Sequence, residues 1–127
     1  MANSAADLLS QSPFKMTKEE RFLYQHHLDN MNSKNGGAPV FHKNGEVSTL
    51  LQIGVGIGIG DKTYNLPTVY GGRILPTKEA IQKAKDIGID KFPSYNSDKE
   101  AEDRYQQMHV MMDADIGNFL NGRPNAR

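Results

Sequence analysis

Residues 50–75 read Leu50-Leu51-Gln52-Ile53-Gly54-Val55-Gly56-Ile57-Gly58-Ile59-Gly60-Asp61-Lys62-Thr63-Tyr64-Asn65-Leu66-Pro67-Thr68-Val69-Tyr70-Gly71-Gly72-Arg73-Ile74-Leu75, and their period decides the fold. From Ile53 to Gly60 a branched apolar residue alternates with glycine, which is the period of two of a β-strand. Gly60-Asp61-Lys62 interrupts that pattern and residues 63–70 resume a β-prone run, so the pair predicts an antiparallel hairpin. Gly71-Gly72 is a second turn, leading to Arg73-Ile74-Leu75. Glycine in a strand gives up packing, and it often marks close approach by another backbone. Two readings of the glycine face follow: a helix or second chain covers it closely, or it is the bare face of a small sheet. The spacing excludes a dinucleotide or P-loop site, because no G-x-G-x-x-G runs through these glycines and Asp61 stands where a P-loop needs Gly and Lys adjacent.

Outward from that stretch, helix signals flank the sheet. Thr17-Lys18-Glu19-Glu20 is a capping box, and Phe22, Leu23, His26, His27 and Met31 follow at helical spacing, with Tyr24 and Leu28 beside them. Asn30 to Gly37 stops that helix, Pro39-Val40-Phe41-His42 reads as a short extended piece, and Asn44-Gly45 turns the chain into Val47. Thr77 is read as the N-cap of a second helix that Gly88 closes. Phe92-Pro93-Ser94-Tyr95 reads as a connecting turn. Ser97-Asp98-Lys99-Glu100 is a further capping box, followed by Ala101, Tyr105, Met108 and Met112 on one face. The expectation is an α+β fold: a small antiparallel hairpin or sheet over 47–75 packed with helices over about 18–31, 78–87 and 98–115. Residues 1–16 are read as an arm, 17–120 as one domain, and 121–127 as a tail.

Composition narrows the classes of function. With 127 residues, 37% hydrophobic, one modest core is expected. Fifteen basic and 15 acidic residues cancel, which argues against capture of nucleic acid or anionic lipid over a broad surface. There is no cysteine, hence no disulfide framework and no thiolate metal site. No apolar run reaches the roughly 20 residues of a membrane span, and the first residues lack the basic start of a signal peptide, so a soluble protein without a recognisable export signal is expected.

The chemistry-bearing residues point to no reaction. His26 and His27 are adjacent on a helix, about 100° apart, and with His42 and His109 form no metal-binding spacing; a structural or surface role is expected. Glu100 is a cap, and Glu102, Asp103, Asp113 and Asp115 are read as a solvated helix face. Tyr64, Tyr70, Phe92 and Tyr95 lack interleaved cations and are read as core or interface aromatics. No catalytic residue, cofactor or metal ligand is assigned. The candidate protein-interface residues are Leu8, Leu9 and Phe14 of the arm, Gly54, Gly56 and Gly58 of the glycine face, and Tyr64 and Tyr70.

An ordered series of short motifs spans residues 22–115. Leu23-Tyr24-Gln25 with His27-Leu28, Asn44-Gly45 with Val47-Ser48-Thr49, Thr63-Tyr64-Asn65-Leu66-Pro67-Thr68-Val69, Ile74-Leu75 with Glu79-Ala80-Ile81, Lys91-Phe92-Pro93-Ser94-Tyr95, and Glu100-Ala101-Glu102 with Arg104-Tyr105-Gln106 and Met108-His109 make it up. The series resembles a small module of tailed-bacteriophage virion proteins. The module occurs alone or within larger structural or internal polypeptides. The resemblance implies a non-enzymatic virion component, present in several copies and bound to the portal, adaptor or nozzle assembly of a short-tailed phage or to its internal ejection proteins. Two alternatives stand beside it: an ejection factor that touches DNA locally through Arg123 and Arg127, and an accessory to a virion-borne cell-wall-degrading enzyme.

Overall fold

The computed structural model describes residues 15–58 and 60–122. In chain order these form α1 (Lys18–Met31), β1 (Val40–Phe41), β2 (Val47–Ser48), β3 (Ile53–Gly56), β4 (Thr63–Leu66), β5 (Val69–Tyr70), β6 (Arg73–Ile74), α2 (Thr77–Ile87), a 3-10 turn (Ile89–Lys91), β7 (Ser94–Tyr95) and α3 (Asp98–Leu120). This is a small α+β fold.

The β-structure is three antiparallel pieces instead of one sheet over 47–75: β1-β2, the three-stranded β3-β4-β7, and β5-β6. The central hairpin pairs Ile53 with Leu66, Gly54 with Asn65, Val55 with Tyr64 and Gly56 with Thr63. The Ile-Gly alternation continues beyond β3, but the strand does not: Gly58 and Gly60 adopt φ of +80° and +60°, and Asp61 +55°, so the glycines build the turn. Residues 63–70 also divide, because the chain bends after Leu66 at Pro67 and the Thr68 amide turns to Leu50 O at 2.9 Å. Residues 92–95, read from sequence as a connection, supply β7 instead: Tyr95 pairs with Thr63 and Ser94 with Tyr64.

The sequence signals set the helix ends in part: at α3 Ser97 Oγ accepts the Glu100 amide at 3.1 Å, which is the Ser97 half of the box read from the sequence. Thr17 Oγ1 accepts the Glu20 amide at 3.1 Å while Glu20 Oε1 accepts the Thr17 amide at 2.8 Å, completing the capping box of α1. At α2 the N-cap is Pro76, and Thr77 is already the first helical residue. α3 runs five residues past Asp115 because Gly117 is absorbed within the helix, its carbonyl accepting both the Asn121 amide at 3.1 Å and Asn121 Nδ2 at 2.8 Å.

Leu23, Tyr24, Leu50, Tyr64, Leu66, Ala84, Phe92, Met108, Met111 and Met112 make the core, with Ile53, Val55 and Ile57 packed against it. On α1 the buried stripe is Leu23, Tyr24, His27 and Met31, whereas Phe22 lies largely outside, edge-on to Phe92 at 5.3 Å. Asn30 joins separate pieces of chain: its Nδ2 donates to Thr49 O at 2.7 Å and Val69 O at 3.0 Å, and its Oδ1 accepts the Ala38 amide at 3.2 Å. A methyl group at Gly37 would stand 2.7 Å from that Oδ1 and 2.9 Å from the Asp29 carbonyl. Gly37→Ala is therefore expected to destabilise by about 1–3 kcal/mol. Gly117→Ala meets nothing within 4 Å, and in a helix it is expected to stabilise by up to about 1 kcal/mol. Opposite displacements of the urea midpoint check the pair.

Candidate functional site

The hairpin that organises the sequence presents an open edge. β3 is a terminal strand, and the register fixes which of its groups face outward. The Asn65 amide donates to Pro93 O at 3.1 Å, so the backbone of Asn65, and by alternation that of Thr63, faces β7. Their cross-strand neighbours Gly54 and Gly56 are consequently the non-hydrogen-bonded partners on β3, and they turn their own N–H and C=O groups away from β4. Ile53 and Val55 make the ladder. Among the described residues no strand pairs with this edge.

The same two glycines are exposed. Added Cβ atoms would meet Asn65 Oδ1 at 3.4 Å from Gly54 and nothing nearer than Lys62 O at 3.8 Å from Gly56, which are ordinary contacts. Among the described residues no helix presses on them. Next to them, Asn65 and Thr63 share their face and are tied to the start of α3, through Asn65 Nδ2 to Ala101 O at 2.9 Å and Thr63 Oγ1 to Asp98 Oδ1 at 2.6 Å. The covered part of the face is thus β4, and the uncovered part is the glycine edge.

The other candidate interface residues fall elsewhere. Leu8, Leu9 and Phe14 lie outside the described residues. Gly58 is exposed in the turn beyond β3. Tyr64 belongs to the core. Tyr70 is half-buried, its ring 4.6 Å from that of His26 and 5.5 Å below Lys83 Nζ. Burial pushes its hydroxyl up to about 12.

Two buried polar clusters were not expected from the sequence. In the first, Glu20 has a fully buried carboxylate that accepts Arg104 Nε at 2.8 Å, Arg104 Nη2 at 2.6 Å and Tyr95 Oη at 2.7 Å in addition to its cap bond. Burial alone would raise the carboxyl, but the bonds from Arg104, the Thr17 amide and Tyr95 outweigh it and hold Glu20 below its ordinary value. In the second, Asp115 accepts from Tyr24 Oη and His27 Nε2, the latter at 3.3 Å, and His27 Nδ1 meets Thr49 Oγ1. Asp115 is wholly buried, which corrects its assignment to a solvated face. Both acids were legible as anomalies: Glu20 precedes Leu23, Tyr24 and His27 by three, four and seven residues, and Asp115 follows Met108 and Met112 by seven and three, so each stands on an apolar stripe.

The order Thr49, His27, Asp115 has the connectivity of a proton relay. Thr49 is only 3% exposed, however, so its hydroxyl is not presented to a substrate. Thr49 does back an open groove of about 600 Å³ between β2 with residues 49–51 and α3, where Tyr105, His109, Met112 and Ile116 form the far wall. Among the described residues no group of three or more His, Asp or Glu side chains could hold a metal ion, and no helix is long and apolar enough to cross a membrane.

These groups set a pH profile. His26 is lowered from 6.5 by burial, offset in part by its bond to Val69 O, and Glu20 is lowered from 4.5. Folded values below the unfolded ones mean stability that is complete above pH 6.5 and is lost as pH falls through them. Tyr70, Tyr95 and Tyr105 are raised above 10.0, first by burial, so their contribution is complete below pH 10.0 and is lost above it. For these groups, the urea midpoint is expected to be level between pH 6.5 and 10.0, to decline below 6.5 and to steepen below 4.5.

Comparison with protein-family models, with curated proteins and with solved structures gave no match, so the chemistry of the site rests on its own geometry.

Proposed function

We propose that this chain is a non-catalytic accessory component of a tailed-bacteriophage virion, docked in several copies on the head-to-tail assembly or on internal ejection proteins. The hairpin edge and residues 2–16 are its contact surfaces. The observation that supports this reading best is the edge of β3: a strand without charged side chains, with two outward-facing peptide units and no described segment over it. Natural sheets ordinarily protect such an edge with Lys, Pro, a bulge or a covering element. An unprotected one is the template for strand addition. The neutral charge and the sealed state of the Thr49–His27–Asp115 chain favour docking over catalysis or DNA capture. Repetition on a symmetric particle strengthens weak contacts through effective concentration.

The test is quantitative mass spectrometry of purified particles of the phage that encodes the chain. Several copies per particle are expected, with at least tenfold fewer after deletion of residues 2–16 or in Gly54→Pro. Particles without the protein overturn the proposal, and undiminished incorporation of the deletion removes residues 2–16 from it.

A further inference from the structure

The groups on the β3 edge are arranged so that the strand complements itself. Only Gly54 and Gly56 of β3 aim N–H and C=O outward, and they are two residues apart. In an antiparallel pair, directly opposed residues of the hydrogen-bonded kind exchange both of their bonds. A two-fold axis at Val55 sets Gly54 of one copy against Gly56 of the other, and Gly56 against Gly54. All eight outward groups are then joined in four bonds. An axis at Gly54 would instead set Gly56 against Gln52, outside β3 and next to Leu51, whose φ of +43° breaks the extended run.

Charge and side-chain volume agree with this arrangement. No charged residue occurs in 47–60, and the whole chain carries 15 positive and 15 negative side chains, so two copies meet without like-charge opposition. On the outer face all four residues at the junction are glycine, so no side chains of the two copies oppose one another there. On the inner face the two Val55 side chains meet as a non-hydrogen-bonded β-branched pair.

We infer that the occupant of the β3 edge is a second copy of this chain, joined by antiparallel β3 pairing about Val55 into a continuous six-stranded sheet. This deepens the docking proposal above and rests on its assignment of the edge as a contact surface. The paired strand is short, four residues or about 14 Å at roughly 3.4 Å per residue, so the interface lies below the standard size and the dimer is weak in dilute solution. It forms where copies are concentrated.

Sedimentation of the purified full chain from about 10 µM to about 1 mM is expected to pass from mostly monomer to mostly dimer, as interfaces of this class do. Gly54→Pro deletes an outward amide without touching the β4 ladder, and Gly56→Lys adds a like charge from each copy; both are expected to stay monomeric with unchanged circular dichroism. Because the chain has no cysteine, Val55→Cys provides a register test. The paired Cα atoms would lie about 4.5 Å apart, within disulfide reach, so mild oxidation of that variant should give a covalent dimer. Ile53→Cys, which faces Ile57 of the other copy, should give at least tenfold less.

A chain that remains monomeric at the highest concentration, or equal cross-linking of the two cysteine variants, overturns the inference. A monomer whose incorporation into particles still falls with Gly54→Pro keeps the edge as a docking surface and assigns it to a different protein's strand. A monomer whose incorporation is indifferent to both edge variants removes the edge from either role.

Discussion

Arg104→Leu is expected to destabilise the fold by about 3–5 kcal/mol, the range for removing one partner of a buried ion pair. The reason lies in Glu20, whose carboxylate is fully buried between α1, α3 and β7, while Arg104 is 27% exposed. Without the guanidinium the negative charge keeps only the Tyr95 hydroxyl and its own cap amide. Glu20→Gln removes the charge from the buried side and leaves the cation near water, so a smaller loss of about 1–2 kcal/mol is expected. Arg104→Lys does not restore stability, because an ammonium cannot make the two-pronged contact of Nε and Nη2. The deficit of Arg104→Leu should also narrow in acid: with the guanidinium gone, burial raises Glu20 in the fold, so the folded state takes up a proton more readily than the unfolded chain as pH falls. Urea titrations at pH 7 and pH 4 decide it. A loss below 1 kcal/mol for Arg104→Leu would mean that the pair is held mainly by solvent and that the α1–α3 junction rests on other contacts.

Asp115→Leu is expected to cost about 2–6 kcal/mol, from two buried donors each left unsatisfied at about 1–3 kcal/mol. Those donors are Tyr24 Oη and His27 Nε2, one helix turn apart on α1 and both sealed from water. With Nε2 turned to Asp115, the other ring nitrogen, Nδ1, meets the Thr49 hydroxyl. The carboxylate therefore orients a chain of bonds from α3 through α1 to the strand after β2. Asp115→Asn keeps one acceptor oxygen and should lose roughly half as much. Denaturant unfolding measures the series, and the His27 ring resonances report whether its tautomer survives in Asp115→Asn. If Asp115→Leu proves neutral, apolar packing replaces the network at no net cost.

How much of this was legible depended on the range of the interaction. Signals confined to a few neighbouring residues carried over into space: the Thr17 capping box, the Asn44-Gly45 turn, the antiparallel hairpin that starts with the alternation at Ile53–Gly56, and the Gly71-Gly72 turn with φ of +58° and +81°. Long-range choices did not. Nothing near Ser94 announces that it will border Tyr64, and nothing near Asp115 announces a histidine 88 positions away. The alternation also overstated β3, because glycine satisfies a two-residue period and a turn equally well. The acids on apolar stripes were the one long-range feature with a local sign. A capping role already accounted for Glu20, which concealed its second one.

The β1–β2 ribbon is a separate two-stranded piece, and its tip, residues 42–46, is closed by its own bonds from His42 to Glu46 and from Gly45 to His42. Lys43, Asn44, Gly45 and Glu46 are exposed there, on a sheet separate from that of β3. That tip is the natural place to graft an epitope or a heavy-atom tag: a visible marker could be carried into an assembled particle while both the strand edge and the interior go undisturbed.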